Sequence, residues 1–105
     1  MKYKYQLVLQ FPFSGSNDYD ALVDLENELG IQIGDHGIVD GHDAGSDEMN
    51  IFIHTNNPAD VFSQAISGLA SNILFARMRA AYRPIGKSNY TTLWPKEFKG
   101  QFTVS

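Results

Sequence analysis

The chain has 105 residues, 43% hydrophobic and 19% charged, with a formal net charge of −4 and no cysteine. Length and composition fit one globular domain, residues 1–105, and exclude a disordered chain, while the absence of cysteine excludes disulfides and thiolate zinc sites and fits a cytoplasmic protein. No apolar run reaches the roughly 18 residues that span a bilayer, so we expect a soluble domain without a membrane partner.

The first element is a predicted strand over residues 2–11, KYKYQLVLQF, because side chains alternate between two faces. Its buried face consists of Tyr3, Tyr5, Leu7, Leu9 and Phe11. A helix follows, in which Ser16 or Asn17 caps the free amide groups and Gly30 is the expected end. The apolar stripe of this helix is Leu22, Leu25 and Leu29.

The next two elements are predicted strands of unequal quality. Residues 31–40 form the weaker one, and glycines at positions 34 and 37 predict a bulge or a break there. Residues 48–55 form the stronger one. Its side chains divide into an inward set (Met49, Ile51, Ile53) and an outward set (Glu48, Asn50, Phe52, His54).

A second helix is predicted from Asn57 and Pro58, which are a capping residue and a favourable first helical residue. Its buried face is Val61, Phe62, Ala65, Ile66 and Leu69. Residues 72–83 are then read as a strand, because a helix would place Arg77 and Arg79 about 200° apart on its surface. The tail, residues 84–105, is irregular, with short strands expected at 90–94 and 101–104.

The element order is therefore β-α-β-β-α-β, which predicts an α+β domain of the ferredoxin-like arrangement. Both helices would pack on one face of an antiparallel sheet with the spatial strand order 4-1-3-2. This fold hosts many unrelated activities, so it implies no function by itself.

Residues 40–55, DGHDAGSDEMNIFIHT, concentrate acids and histidines in the connection predicted between the second and third strands, residues 40–47. Glycine, aspartate and serine are ordinary hairpin residues, so a polar turn is the favoured interpretation. A calcium loop fails because Ile51 stands where a bidentate glutamate is needed.

Two other interpretations of this segment stay open. A metal site would use His42, Asp40 and His36, since imidazole and carboxylate ligands both suit zinc. An acid/base site would use His42, Asp43 and His54, although neighbouring side chains on a strand point apart. No motif for a cofactor is found. The corresponding function is a small enzyme or metal-binding protein.

Charge is strongly segregated along the chain. Residues 5–76 contain no lysine or arginine but hold 11 of the 12 acidic residues. The predicted order places the first strand beside the last, so basic side chains from both would share the helix-free face. These residues are Lys2, Lys4, Arg77, Arg79 and Arg83. Phe52 would lie near the middle of the face, with Asp40 and Asp35 farther out on the second strand.

This face predicts either a covered surface or a binding site. Trp94, Phe98 and Phe102 of the tail can fold over it, and cross-strand ion pairs such as Lys4 with Glu48 would be ordinary. Alternatively, a row of arginines suits a small anionic ligand or an acidic protein, and a surface with both charges suits a homodimer. Binding of RNA or other nucleic acid is not expected, because the third strand supplies one outward aromatic residue and the first strand none, too few for a stacking platform. The favoured function is a non-enzymatic protein-interaction module, of which an immunity protein or other inhibitor is one form.

The segment DGHDAGSDEMNIFIHT and the segment LWP at residues 93–95 resemble a group of small bacterial proteins of unknown function. The pattern of that group is D-G-H-D-x-G-S-x-E-M-N-x-F-I-H-T, and Asp47 stands here at a variable position where glycine is expected. The resemblance covers about half of the chain and implies a bacterial, cytoplasmic origin. It implies no activity, cofactor or catalytic residue.

Overall fold

The computed structural model describes residues 3–12, 16–44, 48–69, 78–95, 102 and 104. Within them the chain forms five strands, two helices and one short 3-10 turn, which confirms the α+β class. The elements are β1 (Tyr5–Pro12), α1 (Ser16–Ile33), the 3-10 turn (Gly34–His36), β2 (Gly37–Ala44), β3 (Glu48–Thr55), α2 (Pro58–Leu69), β4 (Arg79–Pro84) and β5 (Thr91–Trp94).

All five strands belong to one antiparallel sheet with the order β2-β3-β1-β4-β5. The central strand β1 is hydrogen-bonded to β3 on one side and to β4 on the other. The short strand predicted at 90–94 is confirmed as β5, and it adds a fifth strand beside β4 to the four of the predicted ferredoxin-like sheet. The expected pairing of the first strand with the segment after Met78 is thus confirmed from Arg79 onward, and the helical alternative is wrong there.

Both helices pack on one face of this sheet and enclose the main core. The alternation predicted for β1 and β3 is confirmed from Leu7 onward, because the inward residues belong to the core beneath the helices whereas Val8 belongs to a separate cluster on the other face. Tyr3 and Tyr5, predicted on the buried face, are only half-buried. The core comprises Leu7, Leu9, Phe11, Leu22, Leu25, Leu29, Ile33, Met49, Ile51, Ile53, Val61, Phe62, Ala65, Met78 and Ala80.

Helix α1 is longer than predicted and displaces the second strand. It continues through Gly30, which is solvent-exposed, and ends at Ile33, where Gly34 adopts a left-handed φ of 53°. The prediction of a strand from residue 31 is therefore wrong, since β2 starts at Gly37. Asp35 lies in the 3-10 turn and not on β2.

A bulge interrupts β2 after the positions where glycines predicted it. Val39 pairs with Ile53 and Gly41 with Phe52, so Asp40 is the extra residue. Gly41 has φ 131°, a conformation that favours glycine. Residues 40–44 consequently belong to the strand and not to the predicted connection, and residues 45–47 lie outside the described residues.

The remaining boundaries shift by a few residues. Strand β1 starts at Tyr5 and not at residue 2, and α2 starts at Pro58 as predicted, with the Val61 amide donating to the Asn57 carbonyl at 3.0 Å. Of the predicted strand at 72–83, residues 72–77 lie outside the described residues. Of the one at 101–104, only Phe102 and Val104 are described, and neither is in a strand.

No helix in the described part of the chain combines the length and the apolar character that crossing a lipid bilayer requires.

Candidate interaction surface

The register of the sheet arranges the helix-free face as three rows of side chains that cross the strands from β4 to β2. Residues paired directly across antiparallel strands share a face, so each row can be followed from the pairing. The first row is Arg79, Gln10, Asn50 and Asp43. The middle row is Ala81, Val8, Phe52 and Gly41. The third row is Arg83, Gln6, His54 and Ile38.

Charge changes sign along these rows. The β4 end of the face carries Arg79 and Arg83, whereas the β2 end carries Asp43 and, beside the third row, the bulged Asp40. The outward set predicted for β3 is found on this face. The charge gradient expected from the sequence therefore has a defined geometry, except that Asp35 takes no part in it.

The two halves of this face differ in accessibility. In the β1–β4 half, Val8 and Ala81 are completely buried beneath Phe102, which is itself 4% exposed. The ring of Tyr90 lies 5.1 Å from that of Phe102 and closes the layer. The C-terminal tail thus covers this half through Phe102, as one of the two sequence interpretations expected.

The other two aromatic residues of the tail differ in position. Trp94 lies on the helix side of the sheet, with its ring 6.3 Å from that of Phe62, so its predicted place on the helix-free face is wrong. Together with Ile66 and Leu93 these residues line an apolar depression of about 410 Å³ between α2 and β5. Phe98 lies outside the described residues.

Arg83 is engaged within its own molecule. Its Nε donates to Oε1 of Gln6 at 3.0 Å, its Nη1 donates to the carbonyl of Lys87, and its guanidinium carbon lies 5.5 Å from the centre of the Tyr90 ring. These contacts hold the side chain against the sheet. Arg83 therefore helps to hold the layer that covers the β1–β4 half, and it is less available to bind an external ligand.

The other predicted basic residues do not form one accessible row. Lys4 precedes β1, and its amide donates to Asn56 Oδ1 at 2.9 Å. It lies at the opposite end of the β1–β3 pair from Glu48, so the cross-strand ion pair suggested for these residues is wrong. Arg79 is exposed, and Lys2 and Arg77 lie outside the described residues.

A ladder of polar side chains joins the two halves. Gln10 Nε2 donates to Asn50 Oδ1 at 3.1 Å, and Asn50 Nδ2 donates to Asp43 Oδ1 at 2.9 Å. Asn50 is fully buried and Gln10 nearly so. Because a buried amide without a partner is costly, this ladder fixes the relative positions of β1, β3 and β2.

The histidines and acids of residues 40–55 do not converge on one site. His42 Nδ1 lies 2.9 Å from Glu26 Oε2 on the helix side, whereas Asp43 points to the other face, as expected for strand neighbours. His54 Nε2 lies 3.5 Å from Asp40 Oδ2 of the neighbouring strand, on the helix-free face.

The metal candidates are likewise separated. His42 and Asp40 face opposite sides of the sheet, and His36 lies in the 3-10 turn, where its carbonyl accepts from Thr55 Oγ1 at 2.7 Å. Among the described residues, no three histidine, aspartate or glutamate side chains are grouped as metal ligands.

Sequence reasoning missed three residues of this region: Glu26, Gln10 and Ile38. Glu26 lies next to the Leu25 position of the apolar stripe, and this spacing is a signal that it faces the sheet edge. Gln10 has the alternation of an outward residue but no signal for burial. Ile38 falls in the weaker predicted strand, for which the sequence indicates no buried face, and it is 54% exposed.

No known protein family, no curated protein and no solved structure matches the chain.

Proposed function

We propose that the chain is a non-enzymatic protein-interaction module whose contact surface is the helix-free face of the sheet. The observation that supports this best is the change of charge across the face, from Arg79 on β4 to Asp43 on β2. Such a surface selects and orients a partner by electrostatic complementarity. The embedded polar ladder keeps the two charged ends at a fixed separation.

A homodimer is the second candidate, and the same gradient favours it. A two-fold axis parallel to the strands would superpose the β4 end of one copy on the β2 end of the other. Arg79 of each copy would then lie opposite Asp43 of its partner. The tail layer over the β1–β4 half limits how closely the two sheets can approach.

Sedimentation velocity tests self-association. If the face pairs with itself, Arg79→Glu and Asp43→Lys each raise the dimer dissociation constant about tenfold or more, and mixing the two variants restores association. Asp35→Lys, a charge change away from the face, leaves association unchanged. A monomer at every concentration overturns the homodimer, and equal association of all variants overturns the helix-free face as the surface.

The alternative of a small enzyme or metal-binding protein at His42, Asp40 and Asp43 has less support, because these side chains point to two faces of β2. Thermal unfolding with added zinc tests it. We expect an unchanged melting temperature, whereas a rise that Asp40→Asn or His42→Gln abolishes would favour the alternative.

We further propose that the first four strands and both helices form a ferredoxin-like unit to which β5 is appended. The β2–β3 hairpin, the position of β1 between β3 and β4, and the common face of the helices support this. A bacterial origin and cytoplasmic location are part of the same proposal, and they rest on the motif resemblance and the lack of cysteine.

A further inference from the structure

The β2–β3 half of the helix-free face is accessible along β2, where Ile38, Asp40 and Asp43 are exposed, although Asn50 on β3 is buried. Ile38 is 54% exposed and lies directly beside His54 in the sheet. Phe52 lies diagonally across from Ile38, and it packs on the Val8 cluster while remaining partly exposed. Gly41, opposite Phe52, has no side chain to cover the ring. An apolar strip therefore continues from the covered half onto an accessible surface.

Carboxylates lie on both sides of Phe52, the β3 member of this strip. Asp43 lies in the row before Phe52, and the side chain of Asp40, which is 55% exposed, lies near His54 in the row after it. The sequence has no lysine or arginine from residue 5 to residue 76, so neither β2 nor β3 supplies one of these permanent cations to the two acids. An apolar ring between two anions suits a partner with an apolar side chain between two cations.

From this arrangement we propose that the β2–β3 half binds a cationic polypeptide segment, with an apolar side chain on Ile38 and Phe52 and lysine or arginine beside Asp40 and Asp43. The inference rests on the proposed interaction function and names the class of partner. A phosphate chain would be repelled by the same acids. A single metal ion does not fit both carboxylates, because Gly41 of the middle row lies between Asp40 and Asp43 along β2. Two residues of a strand span roughly 7 Å, which is too far for shared ligation.

Another polypeptide fits this half better than a second copy of the chain. The described cations of the chain lie at or near the β4 side, where Phe102, Tyr90 and Val104 form a layer above the sheet. A second copy would bring this layer with it. A short extended segment has no such layer and can lie directly on the Ile38–Phe52 strip.

The test uses capped peptides in which lysine and valine alternate at every second position, with serine between them. Side chains at every second position of an extended peptide lie on one side, so the lysines and valines face the protein together. The matched controls carry glutamate in place of lysine, or serine in place of valine. Binding is followed by amide chemical shifts in NMR titrations, at protein concentrations below any self-association.

We expect the lysine–valine peptide to shift the resonances of β2 and β3 around Ile38, Asp40 and Phe52, and both controls to bind at least about tenfold more weakly. The double variant Asp40→Asn with Asp43→Asn should weaken binding about tenfold, while keeping an oxygen that accepts from Asn50. Asp35→Asn is its control and should change affinity less than about twofold.

The apolar contribution has its own matched pair. Ile38→Ser should weaken binding about fivefold, whereas Ile31→Ser should not, although Ile31 is 84% exposed on α1, on the other side of the sheet. Unchanged binding of Ile38→Ser or of the double aspartate variant overturns the inference.

Two further outcomes separate this inference from the proposed function. If the glutamate peptide binds instead, with shifts near Arg79 and Lys4, the partner is anionic and the interaction face still stands. If no peptide shifts any residue of the helix-free face and the chain does not self-associate, the inference and the proposed function both fail.

Discussion

The two halves of the helix-free face start from similar strands but differ in what covers them. In the β1–β4 half, Val8 and Ala81 lie under Phe102, and Arg83 is bonded to its own sheet and loop. In the β2–β3 half, Ile38 and Asp40 remain exposed. Arg83 is therefore less available to a partner than the exposed residues of β2, although Arg79 on the same strand is exposed. A charged side chain indicates a binding site only where it is not already bonded within its own molecule.

The largest expected effect is the loss of the cover itself. Phe102→Ala should lower the free energy of unfolding by about 3 kcal/mol, because truncating a buried phenylalanine removes its packing and leaves a cavity. It should also expose Val8 and Ala81 and thereby raise the binding of a hydrophobic dye. Urea unfolding and dye fluorescence measure the two effects.

The conservative variant Phe102→Leu serves as the control, and we expect it to lose about 1 kcal/mol, since most of the apolar volume stays. A loss below about 1 kcal/mol for Phe102→Ala would mean that the two halves are equally open and that the comparison above does not hold.

The polar ladder that connects the two halves gives the next effect. Asn50→Ala should cost about 2 kcal/mol of unfolding free energy, because it removes the acceptor of the buried Gln10 amide and the donor to Asp43. Asp43→Asn keeps the acceptor and should cost less than about 0.5 kcal/mol. Equal losses for both variants, measured by urea unfolding, would contradict a ladder in which Asn50 is the central member.

A smaller effect is expected from Arg83, whose side chain is hydrogen-bonded within the β1–β4 half. Arg83→Gln should lower the unfolding free energy by about 1 kcal/mol, because it shortens the hydrogen-bonded arm and removes the cation above the Tyr90 ring. Lys87→Met is the matched control, since only the main-chain carbonyl of Lys87 accepts from Arg83. A thermal shift of the same size in both variants would show that Arg83 is as unengaged as an ordinary surface cation.

Much of the fold could be predicted because local signals agreed with tertiary packing. Strand β3 has the predicted bounds, since a clear alternation of apolar and polar residues needs only one buried face. Helix α2 starts at the predicted Pro58, because the Asn57-Pro58 pair has a specific role at a helix start.

The end of α1 could not be predicted, because two glycines offered similar stop signals. A Cβ atom at Gly30 would meet nothing within 4 Å, so packing gives the helix no reason to end there. The positive φ needed for termination falls at Gly34 instead. As a result, β2 lies later in the chain than predicted, and Asp40 to Ala44 belong to the strand.

The site was predictable in its charge but not in its contacts. The sequence separated the acids from the bases, and the sheet order converted this separation into a gradient. The pairing of His42 with Glu26 joins two elements across 16 residues, and the cover over Val8 comes from residue 102. Such contacts join residues that are far apart in the chain, so local sequence patterns do not predict them.

The bulge at Asp40 has a consequence for the chain at high concentration. Strand β2 is an edge strand of the sheet. The backbone amide and carbonyl groups of a regular edge strand can hydrogen-bond to a strand of another chain, which leads to aggregation. The extra residue and the unusual backbone of Gly41 bend this edge, and the exposed carboxylate of Asp40 adds repulsion between like copies. An irregular, negatively charged edge of this kind disfavours the strand-by-strand addition from which fibrils grow.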